Sequence, residues 1–425
     1  MNRNIPPLYG DISVPVVPSF STTSLPNGVE MHVLRGGTQP IVKVDILVKA
    51  GCLRCDKPLV ARAVADLMAE GTVNHTSKEI ANMLDFYGAS VWSAVTANAC
   101  VVSMLCLSRD VVNVVPLFEE IVKHPAYPAE EVELYKAQEL QSFDIRILKS
   151  SVNASRMMLK MLYADDDRHS RISRREDYVN NLTSENLAIY HKLAYRPKGA
   201  RIFVSGLPSD DDLRIVADAF GSNWEGGEEW KPQAPNFQDG VRSKFVNFEG
   251  QQTSLRMTRR AFERLHPDFL PMQVVNLALG GYFGSRLMQT LREKLGLTYG
   301  VSSYISSNRL YGLHGISTEI KVGTERKVID VIKDDMRRLA TEPIPDEELD
   351  GIRSVMLGEL LRYFDSVISS AETLFSFVAD DIPVSRVGEY YSIIRSITPS
   401  EVRDVAARWL DPDAYNIVCV GPMSN

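Results

Sequence analysis

The sequence predicts an α+β fold of two similar domains. Each is a mostly antiparallel sheet packed with helices on one face, and a linker joins them into a clam-like body. Three observations carry this expectation. Each half runs strand, helices, strands, helix and then long helices, with apolar residues switching between a period of two and a helical period. A weak internal repeat relates the halves: DVVNVVPLFEEI followed by PAEEVELYKAQEL resembles RKVIDVIKDDMRRL followed by TEPIPDEELDGIRSVM. Aligning Pro128 with Pro345 sets the offset at 217 residues. Between the halves Gly221–Gly240, GSNWEGGEEWKPQAPNFQDG, loses both periods and reads as a linker. The expected layout is an extended arm over 1–22, a first domain over 23–220, the linker over 221–240 and a second domain over 241–425.

A chain of 425 residues is too long for one ordinary core. With 44% hydrophobic and 24% charged residues it has the composition of a soluble globular protein. A net charge of −7 leaves no basic footprint for nucleic acid. No apolar run approaches the ~20 residues that span a bilayer. The N-terminal MNRNIPPLYGDISVPVVPSF lacks the apolar stretch of a signal peptide, so a cytoplasmic protein is expected if Met1 is the native start. Five cysteines, an odd number, do not form a disulfide framework. Cys52 and Cys55 make a lone C-x-x-C, while Cys100 and Cys106 lie an even step apart on one strand face. A four-thiolate zinc site would need a second C-x-x-C, so small buried hydrophobes are the expected role.

In chain order, Leu25-Pro26-Asn27-Gly28 is a turn, and Val29–Leu34 and Ile41–Val48 alternate as half-buried strands. Gly51–Lys57 is a loop, and Leu59–Glu70 is a helix with Val60, Val64, Leu67 and Met68 inward. Ser77–Tyr87 is a second helix, ended by Gly88, with Ile80, Met83, Leu84 and Tyr87 inward. Ala89–Val95 and Cys100–Ser108 are strand-like. Asp110 is placed to cap a helix running to Lys123. Pro128 starts a long helix, interrupted before Ala154; Ser184–Lys192 is another helix, and Ala200–Ser205 a buried strand. Asp165-Asp166-Asp167 and Asp210-Asp211-Asp212 lack the alternating spacing of a Ca²⁺ loop. The first reads as a solvated loop and the second as a helix start. His75 and Glu79, four apart, read as a solvated pair at a helix end.

The stretch LGGYFGSRLMQTLREKLGLTYGVSSY, residues 279–304, is the most informative. A glycine turn at Gly280-Gly281 leads into a short helix whose Leu287, Leu291 and Leu295 form a stripe, with Met288 beside them. Gly296 stops the helix, since glycine takes the left-handed conformation cheaply. A strand follows, with Tyr299, Val301, Ser303 and Ile305 expected on one face. A sharp turn could bring Arg292 and Tyr299 to one place. Gly280-Gly281-x-x-Gly284 has neither the Walker lysine nor the dinucleotide spacing, and is no phosphate loop.

The same stretch resembles the LGG…S-R-L…L-R-E…G-L-x-Y pattern of the pitrilysin/insulinase (inverzincin) metallopeptidases. Leu25-Pro26-Asn27-Gly28, Gly51, Gly71-Thr72 and Gly88-Ala89 match landmarks of that family's first half. The resemblance therefore spans the whole chain, and it is to the short members with two similar halves. Catalytic members carry H-x-x-E-H before Gly-Thr: two histidines four apart hold zinc, and the glutamate activates a water. Here those positions are Arg62, Ala63, Val64, Ala65 and Asp66. Neither histidine nor the base is present, and the motif occurs nowhere else in the chain. The family's third ligand is a glutamate on the long helix, a region where this chain has Glu139 and, near the expected place, Phe143.

Arg292 and Tyr299, by contrast, match the family pair at the same separation. The resemblance implies that Tyr299 stabilises an oxyanion and Arg292 holds the substrate backbone. The expected protein binds no metal and is inactive alone. It pairs as a heterodimer with a homologous subunit carrying H-x-x-E-H and zinc, and the two cleave short or unfolded peptides. A catalytically inactive scaffold, like the family's core proteins of respiratory complexes, and a peptide-binding module are the alternatives.

Overall fold

The computed structural model describes residues 13–163, 166–170 and 172–422. The arm's residues 1–12 and Asp165 lie outside the described residues. The first sheet is built from β1 (Ser21–Ser24), β2 (Glu30–Arg35), β3 (Ile41–Val48), β4 (Ser90–Val95), β5 (Cys100–Leu107) and β6 (Arg201–Gly206), in the order β1-β2-β6-β3-β5-β4. The second uses β7 (Ser243–Asn247), β8 (Gln252–Ala261), β9 (Thr298–Ser307), β10 (Gly312–Lys321) and β11 (Asn416–Gly421), in the order β7-β11-β8-β10-β9. Each sheet is antiparallel except for one pair, β2 with β6 and β7 with β11. The two orders superimpose once β1 is set aside, so the repeat seen in sequence is a repeat of topology. The fold is the expected α+β pair of similar domains.

β1 corrects the arm, which is already paired by Ser21. Its four exposed residues extend antiparallel to β2, and Thr22 Oγ1 lies 2.9 Å from His32 Nδ1. A polar edge strand carries no alternation to reveal it.

In the first half the helices are α1 (Val60–Asp66), α2 (Ser77–Tyr87), α3 (Val111–Lys123), α4 (Ala129–Arg146), α5 (Ser150–Leu162), α6 (Asp167–Ser170), α7 (Arg175–Asn181), α8 (Ser184–Ala194) and α9 (Asp210–Gly221). Local chemistry sets their ends. Thr76 and Ser209 close capping boxes with Glu79 and Asp212, and Thr183 accepts from the Asn186 amide. Asp110 stands at the expected N-cap of α3 but makes no side-chain cap; its carboxylate pairs with Arg109 instead. The long helix breaks at residues 147–149, as its interruption before Ala154 required. Of the residues assigned inward on α2, Ile80 is buried and Met83, Leu84 and Tyr87 pack at the core's edge.

The second half holds α10 (Phe269–Asn276), α11 (Glu325–Thr341), α12 (Asp346–Arg362), α13 (Val367–Ala379), α14 (Arg386–Ser396) and α15 (Pro399–Trp409). The 217-residue offset carries α5 onto α13 residue for residue. These two helices do the same thing in opposite directions. On α5, Ala154, Met158 and Leu162 pack against Val418 and Val420 of the second sheet. On α13, Ala371, Leu374 and Phe375 pack against Leu34, Leu47 and Phe203 of the first. Each domain thus lends a helix to the other's sheet. A buried ion pair marks one crossing: Lys43 Nζ lies 3.1 Å from Asp45 and also reaches the exposed Glu372 of α13 at 3.0 Å.

Two buried histidines give the fold a pH dependence. His191 Nε2 lies 2.9 Å from the Val122 carbonyl, and His314 bridges Ser303 and Tyr415 at 3.0 and 2.6 Å. Burial pushes the two imidazoles down to about 4 and about 3. The unfolded chain therefore takes up their protons first, near pH 6.5. Stability that is whole above pH 6.5 is lost as the pH falls, by about 2 kcal/mol for each histidine at pH 5. Urea midpoints measured from pH 8 to pH 5 should fall below pH 6.5, and less steeply in His314→Gln. A flat profile would contradict the neutral, buried assignment.

Candidate functional site

α1 is short because Pro58 and Leu59 lead into it and only seven residues wind. Its Val60, Ala61, Ala63, Val64 and Ala65 are buried, leaving Arg62 and Asp66 on the open face. Four residues apart, they pair at 3.2 Å, and Tyr135 on α4 donates its hydroxyl to the same Asp66 oxygen at 2.7 Å. One α4 turn on, Glu139 pairs with Arg146 at 3.2 Å, and Arg146 also reaches the Tyr178 hydroxyl. The structure thus brings together all the positions at which the family resemblance would place a metal.

The residues there do not fit zinc. A guanidinium cannot ligate a cation, and Asp66 is occupied by Arg62 and Tyr135. Ala65 is buried with only its carbonyl engaged, by Ser93, and Phe143 is a buried core residue. Burial alone would weaken the charge on Arg62, but the Asp66 carboxylate outweighs it and holds the guanidinium above its ordinary pKa. Among the described residues, no group of three or more His, Cys, Asp or Glu is placed to hold a metal ion. Cys100 and Cys106 are buried in β5 as small apolar residues, and burial raises both thiols to about 12. His75 does not face Glu79 alone: its Nδ1 lies 3.2 Å from Glu120, while Glu79 closes the α2 cap.

At the other end of the chain the structure revises the local geometry of the Arg292–Tyr299 stretch. Gly280 and Gly281 do not open a turn; they end a π-helical segment, Leu277–Gly281. A Cβ on Gly280 would lie 2.9 Å from the Ser303 Cβ, so glycine lets this segment press against β9. The next helix closes as a second π segment, Met288–Lys294. Leu287 and Leu291 are fully buried, but Leu295 falls past the wound residues and is exposed. Gly296 takes φ +60°, the left-handed stop expected of it.

Tyr299 is also off the expected face. Thr318 pairs with Val301 and Ile320 with Thr298, so Tyr299 and Gly300 together oppose Glu319 in a β-bulge. Val301, Ser303 and Ile305 still turn inward, whereas Tyr299 is thrown out to 88% exposure. The bulge is fixed by side chains: Thr298 Oγ1 donates to the Glu319 carbonyl at 2.7 Å and accepts from the Gly300 amide at 3.0 Å. Arg292 stacks on the exposed Phe283 ring, 4.6 Å from its centroid. Among the described residues no side-chain hydrogen bond or ion pair holds either Arg292 or Tyr299, and they do not bond to each other. Both present their polar ends free for a ligand.

Sequence reasoning missed Tyr135 and Arg146 as parts of the first cluster. The signal was there: Tyr135, Glu139 and Phe143 recur every four residues on α4, which places them on one helical face. Comparison with known proteins follows the same geometry. Residues 181–356 match the family model described as the peptidase M16 inactive domain. That stretch carries the likeness to the M16 peptidase family. An uncharacterized zinc protease of Bacillus subtilis is 23% identical over 348 residues, 81% of this chain and 84% of that one. Another, of Rickettsia bellii, is 22% identical over 416 residues, 95% and 98% of the two chains. Among solved structures, an M16 inactive domain from Pseudomonas fluorescens shares the fold with a TM-score of 0.86 at 23% identity, covering 96% of this chain and 98% of its own. The periplasmic protease PqqL of Escherichia coli shares it with a TM-score of 0.80 at 14% identity, covering 97% of this chain and 46% of its own. No helix among the described residues is long and apolar enough to cross a membrane.

Proposed function

We propose that this chain is the non-metal-binding subunit of a heterodimeric zinc peptidase. Its partner would be a homologous subunit that carries H-x-x-E-H, and together they would cleave short or unfolded peptides. The observation that carries the reading is an asymmetry. At the metal positions, Arg62 and Asp66 neutralise each other under Tyr135, while Tyr299 is held out by a braced bulge with its hydroxyl unengaged. Attack on a peptide carbonyl develops negative charge on oxygen, and a fixed hydroxyl donor stabilises it. Arg292, held over the Phe283 ring, offers a guanidinium fork to a backbone carbonyl. The partner supplies the zinc and the base.

Two measurements test this. The purified chain should contain well under one zinc per chain by elemental analysis and hydrolyse no peptide in a quenched-substrate library. Mixing with a homologous subunit that carries H-x-x-E-H and zinc should give a 1:1 complex on size exclusion that does hydrolyse. Stoichiometric zinc in the lone chain, or no complex with any such subunit, would reject the reading.

A further inference from the structure

The first domain encloses a cavity of about 430 Å³ beside α1, bounded by the Cys52–Arg62 loop, the end of α4 and the start of α5. Five cationic side chains line it, Lys57, Arg62, Arg146, Arg156 and Arg168, against two carboxylates, Asp56 and Glu139. Three of the cations have carboxylate partners: Arg62 pairs with Asp66, Arg146 with Glu139 and Arg168 with Asp56. The other two do not. Arg156 donates to the neutral Ser173 carbonyl at 2.8 Å and lies over the Phe143 ring, and Lys57 donates to the Asn186 side chain. Among the described residues no carboxylate pairs with either. Burial accordingly lowers the pKa of Arg156, whereas its neighbour Arg62, with a partner, is raised. A partly desolvated cation without a counter-charge is costly, and an anion entering the cavity removes the cost.

The internal repeat shows that the fold does not impose these charges. The second domain has its own cavity, of about 370 Å³, and several of its lining positions correspond at the 217-residue offset. There Tyr363 stands for Arg146 and Thr373 for Arg156, while Leu360 stands for Phe143. The second hollow has cations only elsewhere in its lining, Arg264 and Arg386, and each has a carboxylate partner, Asp380 and Glu389. Leu59, at the rim of the cationic one, sits at φ +74°, a conformation that costs a leucine energy and that clusters at ligand sites.

We infer that this cavity is a carboxylate pocket that takes the C-terminal residue of a peptide. Arg156 and Lys57 meet the carboxylate, while Phe143, Ile147 and Val152 receive an apolar last side chain. An inorganic anion would leave that apolar wall unused. The volume suits one or two residues. Only the choice of a peptide as the carrier of the carboxylate rests on the function proposed above; the pocket itself does not.

Ligand-observed NMR titration of the full chain distinguishes these points. Acetyl-Ala-Ala-Phe with a free carboxylate should bind at least tenfold more tightly than its C-terminal amide. Arg156→Met and, on an exposed loop that tolerates change, Lys57→Ala should each remove at least tenfold of the affinity for the acid. Neither should alter the circular dichroism spectrum. Equal binding of acid and amide, or binding of neither, overturns the pocket, and so does an acid affinity unmoved by both variants. If 3-phenylpropionate binds and the peptide acid does not, the peptide end is overturned as the ligand. None of these results depends on Tyr299 or on a partner's zinc, so failure here leaves the heterodimer to be judged by its own turnover.

Discussion

Tyr299→Phe is expected to lower the turnover of the assembled heterodimer about 10²-fold, as loss of one oxyanion donor does. The substitution is unusually clean. The side chain is 88% exposed, so removing the hydroxyl creates no cavity and leaves no buried group unpaired. The backbone that presents it is braced by Thr298 and Thr318 rather than by the ring: Thr318 Oγ1 donates to Thr298 Oγ1 and to the Gly300 carbonyl, both at 2.9 Å. Stability and complex formation should therefore be unchanged, and KM nearly so, since the donor acts on charge that exists only in the transition state. Arg292→Lys should behave differently, keeping the charge but losing the planar fork and its stacking on Phe283, and so raising KM. Turnover unaffected by Tyr299→Phe would remove that residue from the site. A fall in turnover accompanied by loss of complex would assign it to the interface instead.

The sequence was informative where a pattern has one structural meaning. The strands Ile41–Val48 and Cys100–Leu107 lie where their apolar content placed them, but Ile41–Val48 is buried on both faces rather than half-buried, because α13 covers the face that alternation left to solvent. The Pro128/Pro345 alignment was more powerful than its weak similarity suggested. It predicts α4 against α12 and α5 against α13, and even the cavities beside them. The bulge at Tyr299 was not legible, because a strand with one extra residue keeps its composition while every side chain before the bulge changes face. The same holds for the π segments: an extra residue per turn leaves Leu287 and Leu291 inside but takes Leu295 out of the stripe. Loss of the metal positions was readable from Arg62, Ala65 and Asp66. What replaced them was not, since the Asp66–Tyr135 bond joins residues 69 apart in sequence.

The exchange of α5 and α13 between the halves has a consequence for stability that separate domains would not show. Leu374 is fully buried on α13, yet its apolar neighbours include Leu34, Leu47 and Phe203 of the first sheet. Leu374→Ala should cost roughly 2–5 kcal/mol, the transfer of the lost methyl groups plus the cavity left behind. The loss should fall on the whole molecule, because the contact ends when either half unfolds. Wild-type chain should accordingly unfold in one transition by both far-UV circular dichroism and tryptophan fluorescence, and the variant in one transition at lower denaturant. Met158→Ala on α5, buried in the cluster that includes Val418 and Val420, should act alike from the opposite side. Ala154 and Ala371 show why the two crossings match: they are equivalent at the 217-residue offset, both are almost fully buried, and each lets a helix approach the other domain's sheet closely. Two resolved transitions, with Leu374→Ala moving only one of them, would mean that the halves fold independently and that the helices merely rest on their neighbours.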